Sequence, residues 1–330
     1  MHPVRNLGAG SDRQGYQAES QYGRLAVAGA QLRLRVFNPY GGCQATARPP
    51  DAPRTDSQNL QQQIDSLGLR LLAVDGSTVH LPLVPAMARS FGSHCELPVA
   101  RLSMLYDVAD GQTLHSLIVT PELGERDCAH LHLDHVPADS LILFDRGYPG
   151  HWLFALLEQQ QRHFLMRLPR GYNTQVKQFL QSGKAEDTQL FAASHPEARL
   201  FCTESGVDPV AQIELRLVRV ELPSGKSEVL LTSLLDRQAL PAEVFADLYH
   251  RRWGIETDYR RLKQTLCLDN FSGRSVTAVK QDFHAAQLLK NLALLMQQQR
   301  NQQIDKKPCG QAQGQPVENA HLLSAPNDAE

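Results

Sequence analysis

SLILFDRGYPGHWLFALLEQQQRHFLMRL, residues 140–168, decides the fold. SLILF is apolar at nearly every position, runs into Asp145-Arg146-Gly147, and is followed by HWLFALLEQQQ (151–161), an apolar-rich helix pattern closed by glutamines. RHFLMRL (162–168) is a second short apolar run. Short apolar runs bounded by turn residues read as strands covered on both faces, and a helix between two of them reads as the crossover that joins parallel neighbours. The chain is therefore expected to build a sheet with helices packed on it.

Working outward toward the N-terminus, the pattern becomes antiparallel. LRLLAV (69–74) reads as a buried strand that ends in a turn at Asp75-Gly76. RLSMLYDV (101–108) and QTLHSLIVT (112–120) flank Ala109-Asp110-Gly111, a hairpin signal, and ERDCAHLHLDHV (125–136) reads as a helix. The order strand, strand, strand, helix, strand, helix, strand predicts an α/β fold, a mixed sheet flanked by helices. QNLQQQIDSL (58–67) is a short helix stopped by Gly68. Residues 1–55 show no sustained periodicity and are expected to be a poorly ordered or atypical segment.

Toward the C-terminus, residues 171–235 lean to β structure, with IELRLVRVEL (213–222) and EVLLTSLL (228–235) paired across PSGKS. A helix is expected from Pro241 to about Leu266, softened near Gly254. The last helix spaces Val279, Phe283, Ala286, Leu289, Leu292 and Met296 three or four apart, so that one face is expected to be buried. Residues 301–330 read as a mobile tail.

Composition narrows the function. The 330 residues carry a formal net charge of −2, so nucleic-acid binding has to come from local patches. Six cysteines without a CxxC pair read as reduced thiols of a cytoplasmic protein, neither a disulfide framework nor a zinc knuckle. The first residues, MHPVRNLGAGSDRQ, lack the apolar core of a signal peptide, and no apolar run approaches a membrane span of ~20 residues, so no membrane partner is expected. There is no P-loop pattern. Cys128, His130, His132 and His135 invite a metal reading, but His130 and His132 point about 160° apart on a helix, so one ion cannot collect them all.

The densest chemistry lies in YHRRWGIETDYRRLK, residues 249–263. On one continuous helix Tyr249, Arg252, Glu256 and Lys263 fall within roughly 60° of one another. Leu248, Ile255, Tyr259, Leu262 and Leu266 form an apolar stripe beside them. Alone this is the pattern of a solvated face with i,i+4 pairs. Asp75 and Asp145, each placed at a strand end before a glycine, alter that reading, because strand ends are where ligand sites collect in such sheets. Three carboxylates from two strands and a packed helix are hard oxygen donors suited to Mg²⁺.

The spacing Tyr249-x2-Arg252-x3-Glu256-x6-Lys263 resembles the signature of insertion-sequence DDE transposases of the insertion-sequence-four (IS-four) type, within the ribonuclease-H-like superfamily. AVDGS around Asp75 and DRGY around Asp145 resemble the two Asp motifs of that family. The resemblance covers about residues 69–300. It implies a ribonuclease-H-like catalytic domain over 56–300, with 171–235 as its β-rich insertion. It makes Asp75, Asp145 and Glu256 the catalytic, metal-binding triad for Mg²⁺, two ions with Mn²⁺ as a substitute. Tyr249, Arg252, Lys263 and Arg260 become DNA contacts, extended by Arg251 and Arg261 and further by Arg167, Arg170 and Lys177. The partners implied are double-stranded DNA, as element ends and target, and a second copy in a homodimeric synapse. The setting implied is bacterial, cytoplasmic and nucleoid-associated. Two other functions fit the same residues: a truncated, non-catalytic DNA-binding remnant acting as an inhibitor, and a ribonuclease-H-like nuclease without strand transfer.

Overall fold

The computed structural model describes residues 57–305, except 95–96, 194–195, 205, 223–224 and 265–269. All of these lie in the unit Asp51–Glu330. The expectations for residues 1–55 and for 306–330 fall outside the described residues.

The described chain begins with α1 (Ser57–Ser66), which stops before Gly68, a residue at φ 65°. There follow β1 (Arg70–His80), α2 (Pro85–Phe91), the two-residue β2 (Ser93–His94), β3 (Leu97–Asp107) and β4 (Thr113–Val119). The crossover region then supplies α3 (Glu125–His132), β5 (Ser140–Phe144), α4 (His151–Gln159) and β6 (His163–Leu168). Next come α5 (Thr174–Ser182), β7 (Glu186–Phe191), α6 (Pro196–Glu204), β8 (Ile213–Glu221) and β9 (Ser227–Thr232). Three helices close the described chain: α7 (Phe245–His250), α8 (Trp253–Gln264) and α9 (Val276–Asp305).

The strands form one mixed sheet in the order β3-β1-β5-β6-β9-β8-β7, with β4 and the short β2 both paired to β3. β1 is antiparallel to β3 and parallel to β5, and β5 is parallel to β6, as the 140–168 crossover requires. The unbroken apolar runs are explained by cover on both faces. Leu71, Ala73, Leu141 and Leu143 join a core with Ile255, Leu262, Val279 and Phe283, which come from α8 and α9. Leu72, Val74, Ile142 and Phe144 join a second core with Leu133, Leu153 and Phe179 on the other face. Each large apolar side chain so buried contributes about 1.5–3 kcal/mol.

Four expectations need correction. β1 does not end at Asp75: it stays paired with β3 as far as His80 opposite Val99. What ends there is the parallel neighbour, whose last pairing is Val74 with Phe144, so Asp75 lies in mid-strand just where β5 runs out. Second, the 171–235 segment contains two helices as well as strands. In α5 the Asn173 side chain accepts from Val176 N at 2.9 Å, and Gly183 at φ 73° stops the helix. Its strands β9, β8 and β7 extend the same sheet from the edge of β6.

Third, the helix expected from Pro241 is broken. α7 and α8 meet at Arg251-Arg252, where Arg252 N and Gly254 N donate to Tyr249 O and Arg251 O, three residues back. Gly254 serves a close contact instead: a β-carbon there would lie 3.2 Å from Tyr106 Cε1. Fourth, the face of α9 is buried only in its first half. Val279 and Phe283 are buried, but Leu289, Leu292 and Met296 are exposed, and Gln287 and Lys290 are buried in their place. Lys290 Nζ reaches Asp258 Oδ2 and Thr113 Oγ1, both at 2.5 Å, so α9 docks through a buried polar contact that apolar periodicity does not register. α9 also runs to Asp305, into the segment read as a tail.

Candidate active site

β1, β5 and α8 bring Asp75, Asp145 and Glu256 toward the guanidinium of Arg252, which is only 4% exposed. Arg252 Nη1 is 3.3 Å from Asp75 Oδ2 and its Nη2 is 2.5 Å from Glu256 Oε1. Its plane lies near the rings of Tyr249 and Trp253, at 5.7 and 6.0 Å. Asp145 is reached from the other side: Tyr249 Oη donates to its Oδ1 at 3.4 Å and to Phe144 O at 3.2 Å. Arg167, on β6, pairs with Asp145 at 3.2 Å and with Glu228 on β9 at 2.8 Å. Arg252 Nε and Arg167 Nε are buried without an acceptor.

Packing explains these positions. Tyr259 Oη donates to Asp75 O at 2.8 Å, which ties α8 to β1 beside the acid. Ile255 and Leu262 of the same helix are fully buried. Asp75 Oδ1 accepts from Gly76 N at 2.8 Å. Burial pushes the Asp75 carboxyl up from 3.8 to about 6, with Glu256 and Asp145 adding to the rise while the Gly76 amide and Arg252 oppose it. An acid so placed gains from any cation that approaches.

The structure brings Asp75, Asp145, Glu256, Tyr249 and Arg252 together. Lys263 stands one step along β1, its Nζ donating to Ser77 Oγ at 2.8 Å and to Thr78 O at 2.6 Å. Arg260 is exposed on α8 and makes none of these contacts. Arg167 is held by two carboxylates, one of them Glu228, a residue that sequence reasoning missed. Glu125 was missed too: its carboxylate packs against Gly76 and Gly147, next to both Asp motifs.

Among the described residues no three His, Cys, Asp or Glu side chains stand grouped so as to hold a metal. The three acids fit Mg²⁺ in donor type, and Arg252 is the cation that neutralises two of them in this arrangement. The histidines of the 128–135 motif part company in the structure. His132 turns inward, with Nε2 2.9 Å from Ser103 Oγ and Nδ1 2.8 Å from His115 Nδ1, whereas His130 lies by the Trp152 ring. Among the described residues no helix is long and apolar enough to cross a membrane.

The sheet thus carries acids at the end of β5 and in mid-β1, faced by α8. The family described as "Transposase DDE domain" matches residues 66–292, and the chain belongs to that family. Transposase InsG for insertion sequence element IS4, from Escherichia coli (strain K12), is 27% identical over 216 residues, which is 63% of this chain and 47% of that protein. The chain thus spans less than half the length of that relative. A cryo-EM structure of a piggyBac transposase synaptic complex with hairpin DNA aligns at a TM-score of 0.36 and 12% identity, over 59% of this chain and 40% of that one. A likeness that slight carries no argument.

Proposed function

We propose that this chain cuts double-stranded DNA at the ends of a mobile element and joins the freed ends to target DNA, as a metal-dependent DDE transposase. The observation that carries the reading is that Arg252 joins Asp75 to Glu256 while Tyr249, three residues before it, reaches Asp145, so acids from three separate segments are gathered by one short stretch of chain. The strand order supports a ribonuclease-H-like core over 56–300, with 171–235 as an insertion that lengthens its sheet.

Asp75, Asp145 and Glu256 would hold Mg²⁺, two ions, or Mn²⁺ in their place. The metal, when bound, supplies activation of the attacking oxygen and stabilisation of the leaving one. The chain's own part is positioning. Arg252 holds Asp75 and Glu256 through its two terminal nitrogens and places a fixed positive charge beside the acids where a phosphate would approach. Lys263 and Arg260 add cations along α8 that fix the register of the strand without reading its bases. Tyr249 holds the Asp145 loop to α7 while its ring backs Arg252. Joining two element ends requires two such sites, hence a homodimer in synapsis, in the cytoplasm beside the nucleoid.

The test uses the 330-residue chain, Mg²⁺ and a supercoiled plasmid that carries the DNA flanking this gene. Nicked, linear and joined products are expected from the wild type, and none from Glu256→Gln at unchanged plasmid binding. Equal cleavage by the two proteins overturns the triad. Nicks without joined products reduce the function to a nuclease, and binding without any cleavage reduces it to a non-catalytic DNA-binding protein.

A further inference from the structure

We propose that the first turn of α3 is a brace that sets where Asp75 and Asp145 stand relative to each other, with Glu125 as its positioning residue. This rests on the DNA-cutting function proposed above. A β-carbon on Gly76 would lie 3.5 Å from Glu125 Oε1 and 3.5 Å from Leu102 O, and one on Gly147 would lie 2.7 Å from Glu125 Oε2. The next residue continues the contact: a β-carbon on Gly150 would lie 3.3 Å from Arg126 Nη1, and Arg126 Nε donates to Gly147 O at 3.4 Å.

None of these three glycines is among those with positive φ, so the backbone does not require glycine at any of them. What their missing side chains provide is room for Glu125 and Arg126. Gly76 directly follows Asp75, and Gly147 comes two residues after Asp145, so one carboxylate borders the side-chain space left open beside both acids. The brace is itself fixed. Arg101 on β3 pairs with Glu125 Oε1 at 3.0 Å, and the Asp127 side chain accepts from Gly124 N at 3.0 Å to hold the start of α3. Glu125 touches neither Arg252 nor Glu256, so it acts through the strands and not on the reacting phosphate.

The experiment compares Glu125→Ala, Gly147→Ala, the double variant and Glu125→Gln with wild type. The readouts are single-turnover plasmid cleavage at saturating protein and Mg²⁺, plasmid affinity, and thermal midpoint. Glu125→Ala removes the brace and Gly147→Ala ejects it from its slot. Each is expected to slow cleavage by about 10- to 100-fold with affinity unchanged. Because both act through one contact, the double variant is expected to be no slower than the slower single one. Glu125→Gln fills the same slot and accepts from Arg101, and it is expected to stay within a few-fold of wild type. Multiplying losses in the double variant, or Glu125→Gln as slow as Glu125→Ala, overturns the proposal. If the wild type cuts nothing, the functional reading fails, and the midpoints decide the brace separately. The drop caused by Gly147→Ala is expected to vanish in the Glu125→Ala background, and its persistence there overturns the brace.

Discussion

Asp75→Asn removes a charge that this fold holds at a disadvantage. The carboxyl is pushed from 3.8 to about 6, chiefly by burial and further by Glu256 and Asp145, and its side chain is 18% exposed. Because the folded state holds the proton more tightly than the unfolded chain does, stability falls as pH rises from about 4 to about 6. Above that window the full penalty, about 3 kcal/mol, is present. Asparagine removes the charge but has one acceptor oxygen where the carboxylate uses two, for Gly76 N and Arg252. That loss returns about 1 kcal/mol. The variant should therefore be more stable than wild type by about 2 kcal/mol at pH 7.5, a rise of roughly 4–8 °C in Tm for a domain of this size. Urea unfolding at pH 7.5 and at pH 4 measures it. The gap should close at pH 4, where folded wild-type Asp75 is protonated and the unfolded group is only roughly half ionised, so little of the penalty remains. A variant no more stable than wild type at pH 7.5, or a gap that persists at pH 4, refutes the reasoning.

Two further outcomes follow from buried groups away from the acids. Burial, then His135 and His284, holds His115 down to about 3, so its neutral form contributes stability in full above about 6.5 that is lost as pH falls below that value. Between pH 7 and pH 5 this one group should remove about 2 kcal/mol, and His115→Gln should flatten that slope in urea unfolding; an unchanged slope counts against it. Asp258→Ala strands the buried Lys290 ammonium, which also lies 5.6 Å over the Tyr106 ring, and should destabilise by about 3–5 kcal/mol. The pair replacement Asp258→Leu with Lys290→Met should lose far less, and equal losses in chemical denaturation would sink this account.

Much of the fold was legible because the runs around Asp75 and Asp145 are apolar on both faces, which only strands between two helix layers require. The βαβ crossover, the hairpin at Gly111 and the long β8–β9 pair follow from local signals. The misses around Asp75 and along α9 have one physical source, contacts between distant residues. Nothing near Gly76 says that β3 remains paired while β5 stops. The docking of α9 through Lys290, Gln287 and Asn291 replaces the apolar stripe that periodicity anticipates. At the site, the acids and Arg252 could be picked out by residue type and spacing. Glu125, Arg101 and Glu228 could not, since each matters only for what lies beside it in space.

The break at Arg251-Arg252 gives the Tyr–Arg–Glu–Lys spacing a different meaning. Tyr249 closes on the end of β5, whereas Tyr259 and Lys263 reach β1, so the four positions do not share one helical face. Tyr249 lies on the first short rod, Glu256 and Lys263 on the second and Arg252 at the junction, and the strands that Tyr249 and Lys263 reach are neighbours about 4.8 Å apart. The motif is thus a gauge of strand separation written into helix residues. Inserting one residue at the junction would mis-set that gauge without unwinding either rod.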